Sequence, residues 1–166
     1  MGWLANSFVM SVRSSAIHIM TTNAVAAYLT YTPEIKHPIE VSASGDGHLI
    51  QWLSNRLERP VIIPDLTSEH FYPMGGRVLP TSGTPAAQIM YNDEQGHRLT
   101  FYLQPMAAGI TDFRYTESNG IRTYYRAENG IAFAVTAKID RAQLLAVATA
   151  ISNQIATTTP NSNDNF

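Results

Sequence analysis

The spacing of apolar residues changes repeatedly along the chain, and each change predicts an element. Over residues 8–31, Ala16, Ile17, Met20, Ala24, Ala27, Tyr28 and Tyr31 recur near the i, i+3, i+4 spacing of one helical face. Thr21-Thr22-Asn23 interrupts that run, which predicts two helices with Asn23 capping the second, and Pro33 ends it. Lys36-His37-Pro38-Ile39-Glu40-Val41 reads as extended, because a residue before proline avoids the α region. A second helix is predicted after Ser44-Gly45-Asp46-Gly47, with Asp46 as its cap and Leu49, Ile50, Leu53 and Leu57 as its apolar stripe. Pro60 closes it, and Val61-Ile62-Ile63 predicts a short strand bounded by Pro64.

From Phe71 onward the period is two. Leu99, Phe101 and Leu103 alternate with Arg98, Thr100, Tyr102 and Gln104; Phe113 and Tyr115 alternate with Asp112 and Arg114. Ile121, Thr123 and Tyr125 alternate with Arg122, Tyr124 and Arg126, and Ile131, Phe133 and Val135 alternate with Ala132 and Ala134. Asn119-Gly120 and Asn129-Gly130 suit type I′ hairpin turns, in which both central residues need positive φ. Asn92 to Gly96 forms a longer turn. A last helix runs from about Asp140 to Ile155, and Asp140 with Gln143 three residues on resembles a capping box.

This order predicts an α+β fold: an antiparallel β-meander of about five strands packed against N-terminal helices and a C-terminal helix. The sheet should bury its Leu/Phe/Ile side under the helices and show Arg and Tyr on the other. Residues 1–31 read as a helical segment, 32–156 as the α+β domain, and 157–166 as a polar, disordered tail.

Composition narrows the chemistry. The 166 residues are 45% hydrophobic, enough for one ordinary domain with a real core, and only 14% charged. The net charge of −2 gives no global pull on nucleic acid or anionic lipid. The absence of cysteine excludes disulfides, thiol catalysis and cysteine-based zinc sites within the chain. No run reaches the ~18 consecutive apolar residues of a membrane span, and no basic segment precedes an apolar one as in a secretory leader.

Catalytic motifs are missing. Gly75-Gly76 leads into Arg77-Val78-Leu79 and Ser82-Gly83-Thr84-Pro85 into Ala86–Tyr91, both strand-like, with no lysine near, so neither is a phosphate loop at a helix start. The five histidines His18, His37, His48, His70 and His97 show no helical zinc spacing, although His37, Glu40 and His48 could converge across a turn. Asp65 and Glu69 could share a helical face or cap a turn after Pro64. Ser44-Gly45 and Ser82-Gly83 lack the context of a nucleophile elbow. No cofactor is implied. The most distinctive surface is a set of alternating Arg and Tyr residues: Arg98, Tyr102, Arg114, Arg122, Tyr124 and Arg126. Such a face suits a protein partner. It equally suits a solvated sheet face held by cross-strand pairs, while the acidic balance argues against nucleic acid.

The runs AVAAYLTYTPEIKHPIEV (24–41), HLIQWLSNRLERPVIIPDL (48–66) and GGRVLP…PAAQIMYNDEQGHRLTFYL (from Gly75 to Leu103) resemble the extracytoplasmic domain of bacterial transmembrane anti-sigma factors. The likeness covers most of Asn23–Ala150 and lies in the order and spacing of several segments. It implies a signal-receiving, non-enzymatic domain on the periplasmic side of the inner membrane. In such proteins a cytoplasmic domain clamps the sigma factor, a single membrane helix follows, and proteolysis or a change of partner releases the sigma factor. On this likeness Met1-Gly2-Trp3-Leu4-Ala5 reads as the outer end of the membrane helix. The implied partners are a sigma factor bound through parts absent from this chain, and an envelope protein or protease outside. A small soluble enzyme or ligand-binding domain with dispersed site residues is the alternative, and a homodimeric scaffold a third.

Overall fold

A computed structural model describes residues 3–33, 39–43, 47–107 and 111–158, with residues 3–14 described as helical backbone only. The elements are α1 (Trp3–Tyr31), β1 (Val41–Ser42), α2 (His48–Leu57), β2 (Tyr72–Leu79), β3 (Ala86–Asn92), β4 (Arg98–Pro105), β5 (Arg114–Ser118), β6 (Ile121–Glu128), β7 (Ile131–Ala137) and α3 (Arg141–Thr158). The strands form one antiparallel sheet in the order β1-β2-β3-β4-β7-β6-β5. The fold is α+β, as the alternating pattern predicts, with seven strands instead of about five. One of the additional strands, β1, is two residues long. Strand β2 contains the strand-like Arg77-Val78-Leu79 and extends it back to Tyr72, through Pro73, Gly75 and Gly76.

The predicted break in α1 does not occur. The hydroxyls of Thr21 and Thr22 donate to the carbonyls of Ile17 and His18 one turn back, at 2.8 and 3.0 Å. Both threonines thus find partners inside a continuous helix. The predicted strand at Val61-Ile62-Ile63 is also absent. Pro60 and Pro64 remove two donors from a five-residue stretch. The segment is irregular instead and packs on the core through buried Val61. Its ends are held by side chains: Val61 N donates to Ser54 Oγ at 3.0 Å, and Asp65 N donates to Gln154 Oε1 at 2.7 Å.

Both hairpin turns have the geometry their Asn-Gly pairs predict, with φ of 52° and 76° at Asn119-Gly120 and 50° and 77° at Asn129-Gly130. Asp140 Oδ1 accepts from Gln143 N at 3.0 Å, which caps α3. Helix α2 begins at Gly47 without a side-chain cap, and Asp46 lies outside the described residues. So do Lys36, His37 and Pro38 of the predicted extended segment, and the tail beyond residue 158.

Helices cover both faces of the sheet. On one side α2 and α3 bury Leu49, Leu53, Leu57, Leu144, Val147 and Ile151 against Ile89, Phe101, Phe133 and Val135. Phe133 lies at the centre, with Phe101 and Phe113 packed edge-on at 5.8 and 6.3 Å between ring centroids. On the other side α1 packs mainly on β7, with fewer contacts to β6 and β4. It buries Ile17, Met20, Ala24 and Ala27 in a cluster with Ala127, Ala132 and Ala134. The expectation of one covered and one solvated face therefore fails for the centre of the sheet. The small side chains of β6 and β7 leave room for a helix to seat closely, and α1 occupies that seat.

The paired glycines serve packing. A Cβ on Gly75 would collide with the carbonyl oxygen of Val41 and lie 2.6 Å from Ile39 Cδ1. One on Gly76 would meet Gln88 O at 3.1 Å and Leu49 Cδ1 at 3.2 Å. The pair admits β1 on one flank and α2 on the other, beside a register shift between Pro73 and Gly75.

Candidate functional site: the seam between helix α1 and the sheet

The six Arg and Tyr residues do not form one surface. Ala137 of β7 stands opposite both Leu99 of β4 and Arg122 of β6. Directly opposed residues share a face, so Arg122, Tyr124 and Arg126 lie on the α3 side with Leu99. Arg98 and Tyr102 lie on the α1 side, as does Arg114, which pairs with Tyr125. Alternation within a strand shows which residues share a side of that strand. It does not show which strands align, and register decides that.

Most of the six are engaged within the fold. Arg98 Nη1 donates to Thr32 O at 2.5 Å and to Tyr31 O at 3.4 Å, satisfying carbonyls at the end of α1. Tyr102 is buried; desolvation pushes its phenol up to about 12, opposed by a hydrogen bond with Asn23 of α1. Arg122 Nη1 donates to Ile139 O at 2.7 Å, and its Nε sits 3.3 Å from Glu117 Oε2. The Tyr124 hydroxyl accepts from Arg141 Nε at 3.1 Å. The Arg126 guanidinium lies 4.8 Å from the Phe113 ring centroid, with Nε 3.6 Å from Glu128 Oε2. Arg114 is the exposed member.

The structure singles out residues the sequence reading passed over. On the α1 side of the sheet, Gln88, Thr100, Thr123 and Thr136 are all buried. Thr123 and Thr136 share a hydrogen bond at 3.0 Å. Both amide atoms of Gln88 and the hydroxyl of Thr100 are buried with no hydrogen-bond partner among the described residues. Burying such groups unpaired costs about 1–3 kcal/mol each. The signal was present in Ala86-Ala87-Gln88-Ile89-Met90-Tyr91, where one polar residue stands inside an apolar run.

Two clefts flank α1. A groove of about 390 Å³ runs between α1 and the β5–β6 hairpin, lined by Val25, Leu29, Ile121 and Tyr125 together with His18 and several threonines. A second cleft, about 490 Å³, opens at the C-terminal end of α1 beside the β3–β4 turn. In that turn Asp93 Oδ1 accepts from Gln95 N and His97 N at 2.9 and 2.7 Å, and its Oδ2 lies 2.8 Å from His97 Nδ1. Partial burial pushes the Asp93 carboxyl up, but these bonds outweigh it and hold the group below its ordinary range.

Among the described residues no group of three or more His, Asp or Glu is placed to hold a metal. The convergence suggested for His37, Glu40 and His48 lies outside them, because His37 is not described. Asp65 caps its own turn, accepting from Thr67 N and Thr67 Oγ1 at 3.0 and 2.8 Å. No described helix is long and apolar enough to cross a membrane. Comparison with protein-family models, curated proteins and solved structures finds no match for this chain.

Proposed function

We propose that this chain is the signal-receiving extracytoplasmic domain of a membrane-anchored anti-sigma factor, regulating transcription by controlling release of an extracytoplasmic-function sigma factor. It acts by binding, not catalysis, with a protein partner or protease on the outer side and the sigma factor held by parts of the protein beyond this chain. The likeness of the segments at 24–41, 48–66 and 75–103 supports this reading. The structural observation that carries it is the seam. A single helix, Trp3–Tyr31, enters the domain and docks on a sheet face seated with alanine and threonine, where Gln88 and Thr100 stay unpaired. Docking that forgoes hydrogen bonds is held less firmly than docking on an apolar face. Transmission needs an element with two states that a signal biases unequally, and α1 on this face is such an element.

Two experiments test the reading. In fractions of the native cell, an antibody to this domain should detect a membrane band clearly larger than 18.3 kDa; a soluble band at 18.3 kDa would overturn it. Within the domain, Gln88→Met should remove the unmet amide while keeping the volume. We expect thermal unfolding to show a gain of about 1–3 kcal/mol, or roughly 2–4 °C per kcal/mol. In the full-length protein the same change should hold α1 down and lower the signal-induced reporter response. A higher melting temperature with an unaltered response would remove α1 release from the mechanism.

A further inference from the structure

We infer that the cleft at the C-terminal end of α1 binds a small anionic ligand, its phosphate or carboxylate group held between Lys138 and His97. The regulatory meaning of the site rests on the sensor reading above; its chemistry does not.

The cleft draws its walls from three elements. Tyr28 and Leu29 come from α1 with Pro33 just beyond it, His97 and Arg98 from the turn into β4, and Lys138 from the end of β7. Leu99 pairs with Ala137, so the ladder brings Arg98 and Lys138 side by side where it ends. Like charges placed opposite each other on a sheet are destabilising. Among the described residues no carboxylate lines the cleft itself, and Asp93 stands behind His97, bonded to its ring. The fold gives Arg98 a task of its own, bonding the carbonyls of Tyr31 and Thr32. Among the described residues it gives the Lys138 ammonium none. Its backbone alone is engaged, with Tyr28.

His97 is set as the second contact. Asp93 fixes the ring through Nδ1, and in the imidazolium form Nε2–H is the remaining donor. Tyr28, Leu29 and Pro33 add an apolar wall, and Leu29 is 52% exposed, a large apolar side chain left open at the rim. Cationic groups beside an apolar wall suit an organic phosphate monoester or carboxylate, with the anion on Lys138 and His97 and the carbon body against Leu29 and Pro33. A ligand there touches both α1 and the strand ends. It would bind the docked arrangement better than the released one and hold the helix on the sheet.

The test is an amide chemical-shift titration of the whole chain, with inorganic phosphate and with phenyl phosphate as probes. Saturable shifts should appear at Gly96, His97 and Lys138, with phenyl phosphate saturating at lower concentration. Lys138→Gln should weaken both by about tenfold or more, as expected for loss of a charge-assisted contact, and His97→Gln should weaken them further. Both positions are exposed, so neither change threatens folding. Cosedimentation with vesicles rich in anionic phospholipid separates the two sources of the anion. Binding lost in Lys138→Gln would assign a lipid headgroup, and phosphate shifts without vesicle binding would assign a free solute. Absence of saturable shifts, or shifts unchanged in Lys138→Gln, would overturn the site. Neither result depends on the cell fractionation that decides the anti-sigma reading.

Discussion

Phe133→Ala should be the most damaging single truncation of the core, costing about 3–5 kcal/mol in urea unfolding. Phe133 is wholly buried and joins the two halves of the sheet. It stands opposite Leu103 of β4 and Arg126 of β6, with Phe101 and Phe113 against its ring. Truncation removes the transfer energy of a phenyl ring and leaves a cavity whose walls, three strands held in register, cannot close. Out of a total of about 5–15 kcal/mol for a typical domain, that loss leaves little. Phe133→Leu should recover most of it, because volume and apolarity are largely kept. A loss below about 1 kcal/mol in Phe133→Ala would mean that the core can collapse around the gap.

Gly75→Val should cost at least the about 1–3 kcal/mol of ordinary overpacking. The obstacle at Gly75 is the Val41 carbonyl, a backbone atom, and no rotamer change can move it aside. Relief requires β1 to leave the sheet. That would break Glu40 N to Gly76 O and Ala43 N to Met74 O, both 2.9 Å, along with the contact from Val78 N to Glu40 Oε1 at 3.0 Å. Amide exchange at Glu40 and Ala43 should therefore quicken far more than exchange in β4 or β7. Gly83→Val is the control, because a Cβ there meets nothing within 4 Å. Equal effects of the two changes would show that the close approach of β1 does not set the requirement for glycine.

Much of this fold was legible because local rules and tertiary packing agree. The Asn-Gly turns, the Asp140 cap and the alternation in β4, β6 and β7 each dictate structure over a few residues. Two of the failures have local causes, and two depend on partners distant in sequence. Val61-Ile62-Ile63 has strand composition, yet prolines at both ends leave it without a ladder. Thr21 and Thr22 look like a helix break until their hydroxyls turn back on the preceding carbonyls. The Arg/Tyr surface was misread because the register across β4, β7 and β6 puts its members on opposite faces. The cleft at Lys138 could not be read at all. It joins residues from the end of α1, the β3–β4 turn and the end of β7.

The strand order has a consequence for how the chain acquires its shape. Strands β2, β3 and β4 follow one another as neighbours, and so do β5, β6 and β7. Each trio is a ribbon of sequential hairpins that can zip from its own turns. The two meet only along β4 and β7, where the pairs run from Leu99–Ala137 to Pro105–Ile131. Closing that line encloses the whole of β5 and β6 in a loop, so it costs more entropy than any of the hairpins; only the two-residue β1, pairing Ser42 with Gly75, closes a longer one. Phe101 and Phe133 reward the closure by burying their rings across it. The line between β4 and β7 is where the rate-limiting step of folding should fall, and α1, whose main contact is with β7, can settle only after that strand is in place.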